Sequence, residues 1–186
     1  MIDEIFKAIE VLKAGGIILY PTETVWGLGC DASNSEAVAK IYALKQREDQ
    51  KAMIILVDKP DNAAKYVQDM PEVAWQLWDV SETPLTLILP EGRGVAKNAL
   101  PEDNTIAIRV TSNKFCQGLL RRFGRPLIST SANISGKNTP QYFEDVSKEI
   151  KSGVDMVINP TFADKLSGKP SSIIKVGHGS TIEVIR

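Results

Sequence analysis

An arginine interrupts an otherwise apolar strand pattern in TIAIRV, residues 105–110. Period-two alternation puts Thr105, Ala107 and Arg109 on one face and Ile106, Ile108 and Val110 on the other. A guanidinium in such a setting is costly unless an anion meets it, which makes Arg109 a candidate anion-binding residue. Three other segments carry compatible groups. ALKQRED ends a helical stretch with Lys45 and Arg47, and Lys51 follows shortly. These cations either complement a helix C-terminus or meet a ligand, and the segment alone leaves both readings open. ISTSANISGKNTP offers hydroxyls at Ser129, Thr130, Ser131, Ser135 and Thr139 in a glycine-containing loop, a suitable cradle for an anion. YPTETVWGLGCDA adds Thr22 and Thr24 at a strand end, where ligands of α/β sheets tend to sit, although turn hydroxyls commonly serve only the local backbone.

The combined inventory is cationic and hydroxylic, with no evident general base or nucleophile. Such a set suits chemistry on a phosphate, where the protein mainly positions reactants and neutralises charge. The residues themselves lead as far as a phosphate-containing ligand.

Several alternatives fall away. GLGCDA fits G-x-G-x-x-A, but PTETVW separates its first glycine from the preceding IILY strand, and the next helix starts only after the motif. The region that should supply a ribose-binding acid is QREDQKAM, rich in cations. The glycines are therefore expected to let the backbone pass close to a neighbouring strand. No G-x-x-x-x-G-K-[ST] occurs. His178, in GHGS, is the sole histidine, and Cys30 and Cys116 are the sole cysteines. They are too few for a zinc site, and the thiols are expected to be reduced and buried. No protein metal site is expected.

These groups must be positioned by a chain of 186 residues with 43% hydrophobic and 24% charged residues and a net charge of −1. That is the profile of one globular domain, expected over residues 1–186, without the global basicity that advertises nucleic acid. The charged N-terminus reads as neither signal peptide nor membrane span, so a cytoplasmic location is expected.

The periodicity predicts an amphipathic helix over 2–14, with Ile2, Ile5, Phe6, Ile9 and Leu12 on its stripe, closed by Gly15-Gly16. GIILY and AMIILV read as buried strands, and between them Ser33 and Glu36 form a capping-box pattern for a helix over roughly 34–47. Further on, PEVAWQLWDV is helical, and TPLTLILP and TIAIRV are strands. KFCQGLLRRFG is a helix closed by Gly124, and PLISTS is a strand. TPQYFEDVSKEI is expected to be a helix with Thr139 as N-cap, and DMVINP another strand. SSIIKV and TIEVIR make a closing hairpin. The fold class is α/β, a mixed sheet flanked by helices.

YPTETVWGLGCDA, the Lys45–Arg47 triplet KQR, TIAIRV and STSANISG resemble, in order and spacing, the YrdC-like threonylcarbamoyl-AMP synthases. The resemblance covers the chain from about residue 8 onward, and K-x-R followed by S-x-N (Ser131, Asn133) is specific in combination. It implies the short single-domain type, with a twisted open sheet and a basic concave face. The activity implied is condensation of L-threonine, bicarbonate and ATP to threonylcarbamoyl-AMP and pyrophosphate, for modification of tRNA beside the anticodon. Mg²⁺ would accompany the ATP. Partners would include tRNA and the proteins that transfer the threonylcarbamoyl group.

By match to the family pattern, Lys45 and Arg47 would be catalytic. Arg47, Lys51, Thr105, Ser131, Asn133, Thr139 and Arg186 would bind ATP. Thr24, Arg109, Ser129 and Ser171 would hold threonine, with Ser172 an alternative to Ser171. The sequence departs from the pattern at SETP, residues 81–84, where W-P-G-P is usual, and at Glu48, where proline is common.

A different class of reading is a non-catalytic module for double-stranded RNA or tRNA, using Lys45, Arg47, Lys51, Arg121, Arg122, Arg125 and Lys137. Few aromatics stand between those cations to stack bases. A carbamoyl-adenylate enzyme of hydrogenase maturation uses a similar domain, but its cysteine motifs and acyl-phosphatase region have no counterpart here.

Overall fold

One mixed sheet runs through the protein in a computed structural model that describes residues 1–47, 53–163, 166–177, 179 and 181–186. Its strands are β1 (Ile18–Pro21), β2 (Trp26–Gly29), β3 (Ile54–Val57), β4 (Leu85–Leu89), β5 (Ile106–Val110), β6 (Leu127–Ser131), β7 (Met156–Val157), β8 (Ser172–Val176) and β9 (Ile182–Val184). They lie in the order β7-β1-β2-β6-β3-β5-β4-β8-β9. β3 and β5 are parallel, while β6 on one side and β4 on the other run antiparallel to them. This brings β4, β5, β3 and β6, the strands bearing Thr86, Arg109, Ile54 and Ser129, side by side at the centre.

Strand alternation divides the core. Leu28, Ile55, Leu87, Ile106, Ile108 and Ile128 belong to one cluster, joined by Ala37, Val38 and Ile41 from α2 (Ser35–Leu44). The opposite face is shared between a second cluster and a cavity. Ile18, Tyr20, Leu56 and Leu127 pack there with α1 (Ile2–Lys13) and a second helix over Lys114–Phe123. Three more α-helices occur among the described residues, α3 (Pro60–Ala63), α4 (Glu72–Val80) and α6 (Lys148–Ser152), so the Lys114–Phe123 helix is α5. The expected division of TIAIRV holds, with Ile106 and Ile108 in the core and Ala107 and Arg109 lining the cavity on the other face.

Three local expectations are corrected. α2 is capped by Asn34, whose Oδ1 accepts from the amides of Glu36 and Ala37, because Ser33 turns away to donate to Asp31. On α1, Ala8 takes the inward position while Ile2 and Phe6 are exposed. The helix expected over 139–150 shrinks to α6, with Ser147 as its N-cap. The Tyr142 amide donates to the Asp145 side chain, so the preceding residues form turns. Phe143 reaches the core from a turn instead, its ring centroid 4.9 Å from that of Trp26.

The glycines of GLG lie inside β2, pairing with β1 and leading to β6. A Cβ at Gly29 would stand 2.7 Å from Tyr20 Cε1 and 3.1 Å from the Ile128 carbonyl oxygen. Tyr20 is fully buried and its ring cannot retreat. Gly29→Ala is therefore expected to destabilise the fold by about 2–3 kcal/mol, as overpacking does. Urea unfolding checks this, and an unchanged midpoint contradicts it.

Candidate functional site

Arg109 is 5% exposed; its surroundings take hydrogen bonds from two of its five N–H donors and set a carboxylate beside a third. Its Nε lies 3.2 Å from Glu23 Oε1, a buried ion pair. Nη1 donates to Thr24 Oγ1 at 3.2 Å and Nη2 to Ser129 Oγ at 3.4 Å. One hydrogen remains on each terminal nitrogen, and a carboxylate has an oxygen to offer each of them.

The partners are fixed in turn. Thr22 Oγ1 donates to the Val25 carbonyl at 2.7 Å, so across its 2.8 Å contact with Thr24 Oγ1 it accepts. Thr24 thus donates to Thr22 and accepts from Arg109. Thr111 Oγ1 donates to Glu23 Oε2 at 2.7 Å. The Ser167 and Gly168 amides donate to the Glu23 and Thr24 carbonyls, tying the 22–25 turn to the wall that leads to Ser171. Ser171, 3% exposed, shares a 2.7 Å hydrogen bond with Thr86, which pairs with Arg109 across β4 and β5.

Arg109 and its hydroxyl partners Thr24 and Ser129 line one concavity of about 270 Å³, near the lower end of ligand-pocket sizes. Thr24, Arg109, Ser129 and Ser171 lie there together with Arg47, Ser131, Thr139 and Arg186. Its lining holds three arginines and, among the described residues, no acidic side chain. Arg47 follows α2, with Cζ 5.9 Å from the Tyr42 ring centroid. Arg186 reaches in from the segment after β9, its Nη2 donating to the Ser171 carbonyl at 2.9 Å. Ser172 instead opens β8 and is exposed.

Three expected residues lie off the cavity lining. Thr105 Oγ1 donates to Asp103 at 2.7 Å. Asn133 Nδ2 donates to the carbonyls of Ile134 and Lys137, at 3.0 and 2.8 Å, bracing its own loop. Lys45 is buried, and its Nζ donates to the carbonyls of Ser131 and Asn133, the latter at 2.7 Å. The Ser135 amide donates back to the Lys45 carbonyl. Lys45 therefore stitches the end of α2 to the STSAN loop. Lys51, like His178, lies outside the described residues.

Burial, with the Arg47 guanidinium adding to it, pushes the Lys45 ammonium down to about 8. Because the folded value is depressed below the ordinary 10.5, burying the charge costs stability below about pH 8, and that cost fades as pH rises toward 10.5. Activity follows a different rule. A neutral amine still has hydrogens for both carbonyls, whereas a charge acting on substrate disappears. If the stitch is its task, turnover stays flat from pH 7 to 9; a fall centred near 8 that is absent in Lys45→Met would assign its charge to the reaction.

Glu23, Thr86 and Thr111 join the site only in the folded chain. The available signal was the requirement that a buried arginine find an anion: Glu23 lies between the two threonines already singled out. Among the described residues, the cations considered for an RNA face are dispersed. Arg121 pairs with Asp58 and Arg125 with Asp31 at a separate groove, and Lys45 is buried.

A family model for the Sua5, YciO and YrdC proteins, carrying the description "Telomere recombination", matches residues 10–186. The chain belongs to the Sua5/YciO/YrdC family. It is 35% identical over 179 residues to the threonylcarbamoyl-AMP synthase of Hahella chejuensis, covering 95% of each chain. With the synthase of Psychromonas ingrahamii it shares 33% identity over 186 residues, 98% of this chain and 96% of that one. In fold it is similar to Pyrococcus abyssi Sua5 complexed with L-threonine, with TM-score 0.85 and 26% identity over 98% of this chain. The present chain spans about half of that Sua5 chain, 53%. Escherichia coli YciO matches with TM-score 0.84 and 28% identity, over 98% of this chain and 87% of its own. No described helix is long and apolar enough to cross a membrane.

Proposed function

We propose that this protein is an L-threonylcarbamoyladenylate synthase, a nucleotidyltransferase that joins L-threonine, bicarbonate and ATP into threonylcarbamoyl-AMP and pyrophosphate. The observation that carries the reading is Arg109, held in a buried frame with two N–H groups left over beside Thr24, Ser129 and Arg47. That arrangement can seat an amino acid carboxylate next to a triphosphate. Relatives named threonylcarbamoyl-AMP synthase along nearly the whole chain support it.

In this reading Arg109 takes the threonine carboxylate by its two terminal nitrogens, and Thr24, Ser129 and Ser171 surround the rest of the molecule. The threonine nitrogen combines with bicarbonate to give a carbamate, with loss of water. A carbamate oxygen attacks the α-phosphorus of ATP, the bond to the bridging oxygen breaks, and pyrophosphate departs. Both reactants are anionic, so Arg47, Arg186 and Lys51 offset their repulsion, while Ser131 and Thr139 contact the nucleotide. Lys45 and Asn133 act by shaping the loop that bears Ser131. Thr105 faces the nucleotide only if its bond to Asp103 is exchanged.

Mg²⁺ enters as part of the MgATP substrate. The hydroxyl- and arginine-lined cavity does not suit a protein-held Mg²⁺, which prefers carboxylate and water ligands, and no step is routed through one. The product would serve threonylcarbamoyl transfer to tRNA, handed to the transferring proteins in the cytoplasm.

Pyrophosphate release from MgATP tests the reading. Release is expected only with threonine and bicarbonate both present. Binding of tRNA without any such turnover contradicts it and favours the RNA-binding module.

A further inference from the structure

Arg109 could approach a ligand in many ways, because an arginine side chain has four rotatable bonds and its plane must be set before a bidentate contact forms. The structure provides a device that sets it. Glu23, whose side chain is 11% exposed, meets the Nε edge of the guanidinium at 3.2 Å with Oε1. Neither Nε nor Oε1 has a linear hydrogen-bond partner, so the contact is an ion pair at their shared edge. The other carboxylate oxygen is held by Thr111 Oγ1 at 2.7 Å, and Thr111 is 1% exposed. Its amide donates in turn to the Val57 carbonyl, extending the pairing of β3 and β5.

The chain of contacts thus runs from the sheet backbone through Thr111 to Glu23 and on to Arg109. It occupies the Nε edge of the guanidinium and, with Thr24 and Ser129 each taking one hydrogen from Nη1 and Nη2, leaves one hydrogen on each of those nitrogens for a ligand. We infer that Glu23, anchored by Thr111, is a positioning residue for the amino acid carboxylate: it orients Arg109 and lowers the subsite's net charge to zero. A neutral subsite matches a substrate whose ammonium and carboxylate charges cancel. Glu23 does not line the cavity, so it acts through Arg109.

The inference rests on the synthase reading, so wild-type pyrophosphate release dependent on threonine is measured first; its absence overturns that reading. Glu23→Gln preserves the shape and removes the charge. Its threonine KM is expected to rise at least about tenfold while the ATP KM changes less than about twofold. In an Arg109→Ala background the same substitution should change the threonine KM by less than about twofold, because the residue through which it acts is gone.

Thr111→Val frees one carboxylate oxygen without changing the ion pair. It should raise the threonine KM by a smaller factor, in the same direction, and serves as the reporter if Glu23→Gln does not fold. An unchanged threonine KM in both variants, equal rises for threonine and ATP, or independent effects of Glu23→Gln and Arg109→Ala would each overturn the inference.

Discussion

Arg109→Ala should raise the threonine KM about 100-fold and leave the ATP KM within about threefold of wild type, the size expected for losing a desolvated, charge-assisted carboxylate contact. The asymmetry follows from placement. Arg109 lies between the 22–25 turn and Ser129, whereas Arg47 and Thr139 approach from other segments of the lining and Ser131 stands two residues further along β6. The substitution also strands Glu23, whose side chain is only 11% exposed, without its cation, which costs up to about 3–5 kcal/mol of stability. Arg109→Lys separates the two effects. It keeps a positive charge near Glu23 but loses the planar fork, so it should fold better than Arg109→Ala and still lose most threonine affinity. Steady-state titration of each substrate, with thermal unfolding alongside, reads both quantities. Equal loss of threonine and ATP would refute the role given to Arg109.

Arg47→Ala should act on turnover. A cation beside a phosphoryl group undergoing transfer stabilises charge that grows in the transition state, and removing such a group lowers kcat by about 10²–10³. Arg47 lines the cavity and takes no part in the Arg109 frame, so threonine affinity should change little. A rate within about twofold of wild type would return Arg47 to the status of a helix-end cation.

Much of this arrangement was readable from residue type and spacing. The alternation in TIAIRV separated core from site because a strand's two faces differ at every step, and the structure keeps that separation. GLG was correctly read as close strand packing, since Gly29 opposes a buried tyrosine ring. The strand order was not legible: nothing local to β6 says that it inserts between β2 and β3. The region after Thr139 misled because Phe143, Val146 and Ile150 have helical spacing, yet the side chains of Asp145 and Ser147 accept hydrogen bonds from the Tyr142 and Ile150 amides and favour turns followed by a shorter helix. Lys45 shows a further limit. Its position in K-x-R suggested direct catalysis, while its ammonium is directed at two backbone carbonyls that only the folded chain brings near.

Glu23 is the instructive omission. A buried arginine calls for an anion, and in the fold an internal one, Glu23, already stands beside it. A buried guanidinium has enough donors for that anion and for a ligand: protein groups meet Nε, Nη1 and Nη2, and one hydrogen on each terminal nitrogen is left over beside the cavity that Arg109 lines.

A crystal structure with L-threonine and a non-hydrolysable ATP analogue tests the central claim most directly. The account predicts both ligands in the one concavity, the amino acid carboxylate on Nη1 and Nη2 of Arg109 and the phosphates beside Arg47. Threonine bound away from Arg109, or nucleotide in the separate groove formed by Lys59, Lys65, Arg121 and Arg125, would contradict it.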